Sequence, residues 1–239
     1  MAELFSFFTL IICFLTILAL LKFFGKSGLF AYSAIVIIIS NIQVLKLAKY
    51  TYIENPIALG TVAFSTIFAI DNILTEYYGA NVAKESVFLS FIGYLFFVIA
   101  MKIAVWHPTI ESHECINLHR ELESIFSPSS VLLISSLVSY IISQLTDIFV
   151  FSFLKKIAKT KFLSCRSLLS MMIATFVDNF VFSVLAWIVL ADRPIGWKSL
   201  WATYILATYL IRLIVAALCV PLIKLAGAFI PREQNVPQF

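Results

Sequence analysis

Charged side chains are scarce in this sequence. They make up only 13% of the 239 residues, whereas 62% are apolar and the mean hydropathy is +1.01. A chain with so few charges lacks the polar surface that a soluble protein of this length needs. Long polar stretches are also missing, since the longest runs only from 107 to 127. These absences predict a single integral membrane domain over residues 1–239.

Cysteine is also rare, and its positions exclude two kinds of site. The four cysteines are scattered over two apolar segments and two loops, which indicates no disulfide framework and no zinc site. The N-terminus lacks a basic region followed by a small-residue cleavage site, so residues 4–24 are predicted to be a retained span and not a signal peptide.

Long apolar runs are what the chain has instead. Each approaches or reaches the roughly 20 residues that cross a hydrocarbon layer of about 30 Å. They predict an all-α, polytopic membrane helix bundle of about seven transmembrane helices, in which an N-terminal helix precedes a six-helix core. The predicted spans are Leu4–Leu21, Ser27–Leu45, Asn55–Ile70, Ser86–Met101, Ser124–Thr146, 165–190 and 199–223.

The charge distribution predicts how the chain lies in the membrane. Residues 155–166 carry five Lys and Arg, whereas residues 107–127 carry four Glu and one Arg. Because basic residues collect in cytoplasmic loops, residues 155–166 are predicted to be cytoplasmic. Seven spans then put the N-terminus outside and the C-terminus in the cytoplasm. The basic loop indicates contact with lipid headgroups and not with nucleic acid.

Two consecutive spans, the fifth and sixth, contain a sequence repeat. Ser136–Leu154 and Ser167–Leu185 are identical at ten of nineteen positions, including Asp147 with Asp178 and the motif FVFS after each aspartate. Consecutive spans run in opposite directions, so the pair has the character of an inverted repeat, which in transporters surrounds a binding site near the midplane.

Polar side chains occur at similar depth in five predicted spans. Counting 1.5 Å per residue from the cytoplasmic end places them roughly 12 to 20 Å from that boundary. A charge at this depth is costly, so it faces a cavity or a partner. Either these groups form a binding site, or the aspartates pair with a buried arginine while serines allow close helix packing. The groups are Asn41, Asp71, Asp147, Asp178 and Arg212, with Gln144 three residues before Asp147.

Five sequence blocks resemble the queuosine precursor transporter family, also called the VUT family. Their order and spacing match from about residue 20 to 225, in the longer form that has an extra N-terminal span. The blocks are FFGKSGLFAYSAIVIIISNIQVLK (23–46), DNILTEYYGANVAKESV (71–87), SYIISQLTDIFVFSFLKK (139–156), RSLLSMMIATFVDNFVFSVLAW (166–187) and YLIRLIVAALCVPLIKL (209–225).

The resemblance implies a function. It implies a bacterial inner-membrane carrier, not an enzyme and without a cofactor, that imports 7-deazaguanine bases for queuosine synthesis or salvage in tRNA. Queuine and 7-cyano- or 7-aminomethyl-7-deazaguanine are such bases. The oligomeric state does not follow from the sequence.

The resemblance also points to particular residues. It assigns the acids of the family's substrate site to Asp147 and Asp178. A further family acid aligns with Asn72, whereas this chain has Asp71 one residue earlier, about 100° around the helix. Which of Asp71, Asn72 and Glu76 faces the site therefore stays open.

The expected ligand suits these side chains chemically. A deazaguanine presents an N–H beside an exocyclic amine, which one carboxylate can accept together, and a ring carbonyl that an amide or a guanidinium can meet. Asn41, Gln144 and Arg212 supply such groups. Protonation of an aspartate would make the proton a second partner of the carrier.

Three other functions fit the sequence less well. His107, His113, Cys115 and His119 lie within thirteen residues, but their spacing matches no standard metal site. An intramembrane aspartyl protease would also use two membrane aspartates, but this chain lacks Gly-x-Gly-Asp. A substrate-binding subunit of an ATP-driven vitamin importer is the main alternative.

Overall fold

The computed structural model describes residues 1–51, 53–126, 130–158, 161–191 and 193–230. Over these ranges it confirms the predicted all-α membrane bundle and adds one small β-hairpin. Two π-helical turns, Leu185–Val189 and Leu200–Ile205, extend α6 and lead into α8. The elements are α1 (Ala2–Gln43), β1 (Leu47–Tyr50), β2 (Ile53–Ala58), α2 (Gly60–Tyr77), α3 (Ala80–Trp106), α4 (His113–Phe126), α5 (Ser130–Ala158), α6 (Leu163–Val184), α7 (Trp197–Ser199) and α8 (Leu206–Phe229).

Five of these helices, α1, α3, α5, α6 and α8, are long and apolar enough to cross a membrane. Large apolar side chains such as Phe8, Phe96 and Ile214 are exposed on their outer surfaces, whereas many serines and several ionisable groups are buried between them. This distribution is the one expected when the surrounding solvent is lipid. The chain is therefore a multi-pass membrane protein.

Helix α1 contains the first two predicted spans. Its 42 residues are interrupted at Gly25, whose φ of 58° and ψ of −137° are not helical and suit only glycine. A Cβ atom on Gly28 would lie 2.5 Å from the carbonyl oxygen of Leu20, which in a straight helix is about 12 Å away. The chain therefore turns back at Gly25, and the Ser6 hydroxyl meets that of Tyr50 at 2.7 Å.

Helix α2 is the most enclosed helix of the bundle, with fifteen of its eighteen residues buried. The predicted span Asn55–Ile70 was placed too early, because residues 53–58 form β2 and pair antiparallel with β1. Pro56 explains the shift, since it disfavours helix at the preceding residue. Gly60 then lets α2 approach α1 closely, as a Cβ atom there would lie 2.2 Å from the carbonyl oxygen of Ser40.

The bundle has two distinct ends. At one end, which we call the hairpin face, lie the β-hairpin and α4, a 14-residue helix with no buried residue. At the other end, which we call the basic face, α2 and α5 end and α6 begins. The last turn of α5 carries Lys155 and Lys156. The predicted span Ser124–Thr146 corresponds to α5, which starts later and runs to Ala158; residues 127–129 lie outside the described ranges.

Helices α5 and α6 carry the repeat and pack against each other in opposite directions. The Ser143 hydroxyl of α5 donates to Oδ1 of Asp178 on α6 at 3.2 Å. Along an antiparallel helix pair, the residue numbers of contacting positions add up to the same total. The contact of Ser143 with Asp178 therefore implies that Ala174 lies opposite Asp147. The two aspartates are therefore related as the repeat predicts.

Candidate functional site

A cavity of about 500 Å³ lies between α1, α2, α5, α6 and α8 and extends toward the hairpin face. That volume is typical of small-molecule sites. Its lining reaches the exposed residues Val44, Leu45 and Leu47 at one end and buried polar residues at the other. The polar residues of the lining are Ser40, Asn41, Thr61, Tyr94, Ser136, Ser139, Asp178, Asn179, Ser183, Tyr204, Thr208 and Arg212.

An ion pair forms the polar centre of this cavity. Nη1 of Arg212 on α8 donates to Oδ2 of Asp178 on α6, while Oδ1 accepts from Ser143. The guanidinium also lies over the Phe64 ring of α2, 5.1 Å from its centroid. Both side chains are largely buried, with 11% and 5% exposed, so each depends on the other for compensation of its charge.

Two amides flank the pair. Asn41 donates to the Ile37 carbonyl of its own helix at 2.8 Å and accepts from the Ser136 hydroxyl at 3.0 Å. Asn179 donates to the Ile205 carbonyl at 3.2 Å, in the π-helical turn before α8. Both amides are thus held in place on the cavity wall, where each keeps further capacity to bind a polar ligand.

An aromatic wall completes the cavity, and sequence reasoning did not find it. Phe182, Trp187 and Tyr204 line one side, and the rings of Trp187 and Tyr204 are 4.8 Å apart. Both belong to the π-helical turns, which are frequent at functional sites. With 23 phenylalanines and 9 tyrosines in the chain, composition gave no means of selecting these rings.

A second polar group lies nearer to the basic face, and we call it the acid layer. It consists of Asp71 on α2 with Gln144 and Asp147 on α5, all at most 1% exposed. None of the three lines the cavity. Among the described residues, the carboxylate oxygens of both aspartates and both polar atoms of Gln144 have no hydrogen-bond partner.

The neighbouring Asn72 joins α2 to α6. Its Oδ1 accepts from the Ser170 hydroxyl at 3.1 Å, and its Nδ2 points to the Ser167 carbonyl at 3.5 Å. Because the amide is used between helices, Asn72 is positioned as a packing contact beside Asp71.

Glu76 occupies a third environment, an ion cluster at the basic face. Its carboxylate lies 3.1 Å from Arg166 Nη2 and 3.2 Å from Lys155 Nζ, and the same ammonium donates to the Glu76 carbonyl at 2.6 Å. Arg166 is 2% exposed and stacks 5.3 Å from the Phe151 ring centroid. The cluster ties the ends of α2, α5 and α6 together below the acid layer.

The single polar layer expected from depth counting therefore divides in two. Three of the predicted site residues, Asn41, Asp178 and Arg212, meet at the cavity. The other five lie outside its lining, in the acid layer, beside it or in the ion cluster: Asp71, Asn72, Glu76, Gln144 and Asp147. Within the described ranges, no cluster of three or more His, Cys, Asp or Glu is arranged to hold a metal ion.

A membrane helix bundle with a polar cavity ending on a buried ion pair has the architecture of a transporter. A family described as "Putative vitamin uptake transporter" matches residues 58–226. The chain belongs to this vitamin uptake transporter family, and so it is a transporter of small molecules and not an enzyme.

Among curated proteins, the chain resembles the "Probable queuosine precursor transporter" of Bacillus subtilis (strain 168). The two are 28% identical over 229 residues, which cover 95% of this chain and 96% of the relative. The similarity therefore includes the N-terminal span that precedes the family match. No solved structure matches the chain.

Proposed function

We propose that this protein imports queuosine precursors, which are 7-deazaguanine bases, through the cavity between α1, α2, α5, α6 and α8. The name of the Bacillus relative and the family membership both support this substrate class. The observation that carries the proposal is the ion pair of Asp178 and Arg212 on the cavity wall, because it offers a carboxylate and a guanidinium to one ligand.

The cavity supplies a partner for each polar edge of such a base. Asp178 accepts from the adjacent N–H and exocyclic amine, and Arg212 donates to the ring carbonyl. Asn41 and Asn179 are placed to meet the remaining ring atoms. The aromatic wall of Phe182, Trp187 and Tyr204 gives the flat ring an apolar surface to stack on.

The orientation in the bacterial inner membrane is also part of the proposal. Lys155, Lys156 and Arg166 at the basic face favour a cytoplasmic position for that end. The cavity then extends outward, while the ion cluster closes the cytoplasmic side. Two native cysteines test this: Cys115, at the hairpin face, should react with an impermeant thiol reagent from outside, and Cys165 only after permeabilisation. The reverse pattern would invert the orientation.

Binding of the base to purified protein tests the site. We expect queuine or 7-aminomethyl-7-deazaguanine to raise the melting temperature of the wild type, and Asp178→Asn to abolish that rise. The asparagine keeps the size of the side chain but replaces one acceptor oxygen with a donor. Glu85→Gln, the same chemical change at an exposed position of α3, is the matched control and should bind normally.

Uptake distinguishes a carrier from a subunit. A bacterium that lacks its own transporter and expresses this chain alone should accumulate the labelled base. Binding without uptake would instead indicate a substrate-binding subunit of an ATP-driven importer. Normal binding by Asp178→Asn would contradict the proposed site.

A further inference from the structure

The acid layer contains two carboxylates that the proposed substrate site does not use. Asp71 and Asp147 are 1% and 0% exposed, and none of their four oxygens has a hydrogen-bond partner among the described residues. They lie on different helices, α2 and α5, which pack against each other, so that the charge of one carboxylate acts on the other. Two ionised carboxylates in this setting would repel each other without water or a cation to compensate.

The buried charged groups of the surrounding helices are already committed elsewhere, and the remaining charged side chains of α1, α3, α5 and α8 lie at exposed or half-exposed positions, among them Lys22, Lys26, Lys84, Glu85, Lys102, Lys156 and Lys224. On α8, Arg212 pairs with Asp178 of α6; at the basic face, Lys155 and Arg166 pair with Glu76. The other buried titratable side chains on the packed helices carry no charge near neutral pH. They are Tyr140 of α5, which lies beside Asp71, Tyr94 of α3, Tyr32 and Cys13 of α1, and Cys219 of α8.

Gln144 provides independent evidence that the acid layer binds a ligand in some state of the protein. Its side chain is 0% exposed, and neither its Oε1 nor its Nε2 has a partner within the described part of the chain. It lies three residues before Asp147, on the same face of α5. Burying a whole unpartnered amide is unfavourable unless the neighbouring group uses it in some state of the protein.

We propose that Asp71 and Asp147 form a proton-binding site, with Gln144 as its hydrogen-bond partner, and that this site couples import of the base to inward proton movement. One proton on the pair removes the repulsion and leaves a single negative charge. Gln144 suits both states, because its Oε1 accepts from a protonated acid and its Nε2 donates to an ionised one.

The position of the layer suits this role. Asp147 lies eight residues, about 12 Å, from Ser139 on the cavity wall, and the same distance from Lys155 in the ion cluster. The layer therefore separates the cavity from the closed basic face. A proton there changes the charge of the region through which the base must pass, whereas Asp178 keeps its guanidinium partner and holds the substrate.

The proposal rests on the proposed function only for the identity of the transported base. Two transport assays in proteoliposomes test it. The first measures accumulation of labelled 7-aminomethyl-7-deazaguanine against its gradient with acid outside. The second measures exchange of the base at equal concentration and pH on both sides. We expect Asp71→Asn and Asp147→Asn to lose accumulation and keep exchange, and Asp178→Asn to lose both.

Infrared spectroscopy of the purified protein without any base supplies the second measurement. A protonated buried carboxylic acid has its own carbonyl band, which should disappear in Asp71→Asn or Asp147→Asn and remain in Asp178→Asn. This readout holds even if the labelled base proves not to be the cargo, so the two proposals fail separately.

Three results would overturn the proton site. One is an infrared band that survives in both Asp71→Asn and Asp147→Asn. Another is parallel loss of exchange and accumulation in both variants, which would make them substrate ligands. The third is wild-type accumulation that follows a sodium gradient at constant pH.

Discussion

Asp147 and Asp178 occupy the same position in two copies of one sequence, yet their surroundings differ. Asp178 faces the cavity and is bound by Arg212 and Ser143. Asp147 is completely buried, and its oxygens form no hydrogen bond within the described ranges, because the neighbouring Ser170 hydroxyl is directed to Asn72 and to the Ser167 carbonyl. The repeat thus places two equivalent carboxylates, and the helices around them determine that only one is compensated.

One difference within the repeat and one residue outside it explain the contrast. Ser143 donates to Asp178, but the position opposite Asp147 is Ala174, which has no hydroxyl. Arg212 comes from α8, which packs on α6, and within the described ranges no salt bridge joins α8 to α5. A duplicated segment can therefore place its two copies in different environments when its neighbours are not duplicated.

The largest effect is expected from removing the cation that distinguishes Asp178. Arg212→Leu should destabilise the protein by about 3–5 kcal/mol, because it leaves a buried carboxylate uncompensated. Adding Asp178→Asn should restore much of the melting temperature but not base binding. Purely additive losses in the double variant would show that Arg212 serves another group.

Cysteine accessibility compares the cavity directly with the buried region nearer to the basic face. Ser136 lines the cavity, and Ser167, its counterpart in the repeat, is 0% exposed. In a background without the native cysteines, Ser136→Cys should react rapidly with a thiol reagent applied from the hairpin face, and bound base should protect it. Ser167→Cys should stay unreactive; equal rates at both positions would mean that the cavity and this buried region share one solvent path.

The smallest effects are expected from substituting Ser143 and Ala174, which occupy equivalent positions in the two copies of the repeat. Ser143→Ala removes one hydrogen bond to Asp178 and should cost about 1 kcal/mol of stability. Ala174→Ser offers Asp147 a donor that favours its ionised form. The proton then leaves at lower pH, so the pH profile of gradient-driven uptake should move toward acid by about one pH unit. An unchanged profile would mean that Asp147 does not carry the proton.

Sequence reasoning located the polar residues but not their division into layers. Hydropathy gave the spans, and depth counting brought Asn41, Asp178 and Arg212 to one level, where the structure places them together. The same counting grouped Asp147 with them, although its count of about 12 Å from the basic end is one helical turn less than the roughly 18 Å of Asp178. Asp147 lies on the same face of α5 as the cavity-lining Ser136, so depth and not rotation separates it from the cavity.

Other features lacked a local signal altogether. The β-hairpin depends on pairing between residues 47–50 and 53–58, and the apolar residues around Pro56 read as the start of a span. Trp187 and Tyr204 become neighbours only because two π-helical turns meet above the cavity. Both cases depend on contacts between segments that are distant in the chain.

The contact of Trp187 with Tyr204 on the cavity wall also gives the protein an intrinsic fluorescence signal for ligand binding. Trp187 is one of four tryptophans and lines the cavity, where a stacked heteroaromatic base would accept its excitation energy. Occupancy should therefore be visible as quenching of intrinsic fluorescence, and Trp187→Phe should remove that signal while Trp106→Phe, at the exposed end of α3, leaves it. The kinetics of loading and release are thus open to stopped-flow measurement without any attached dye.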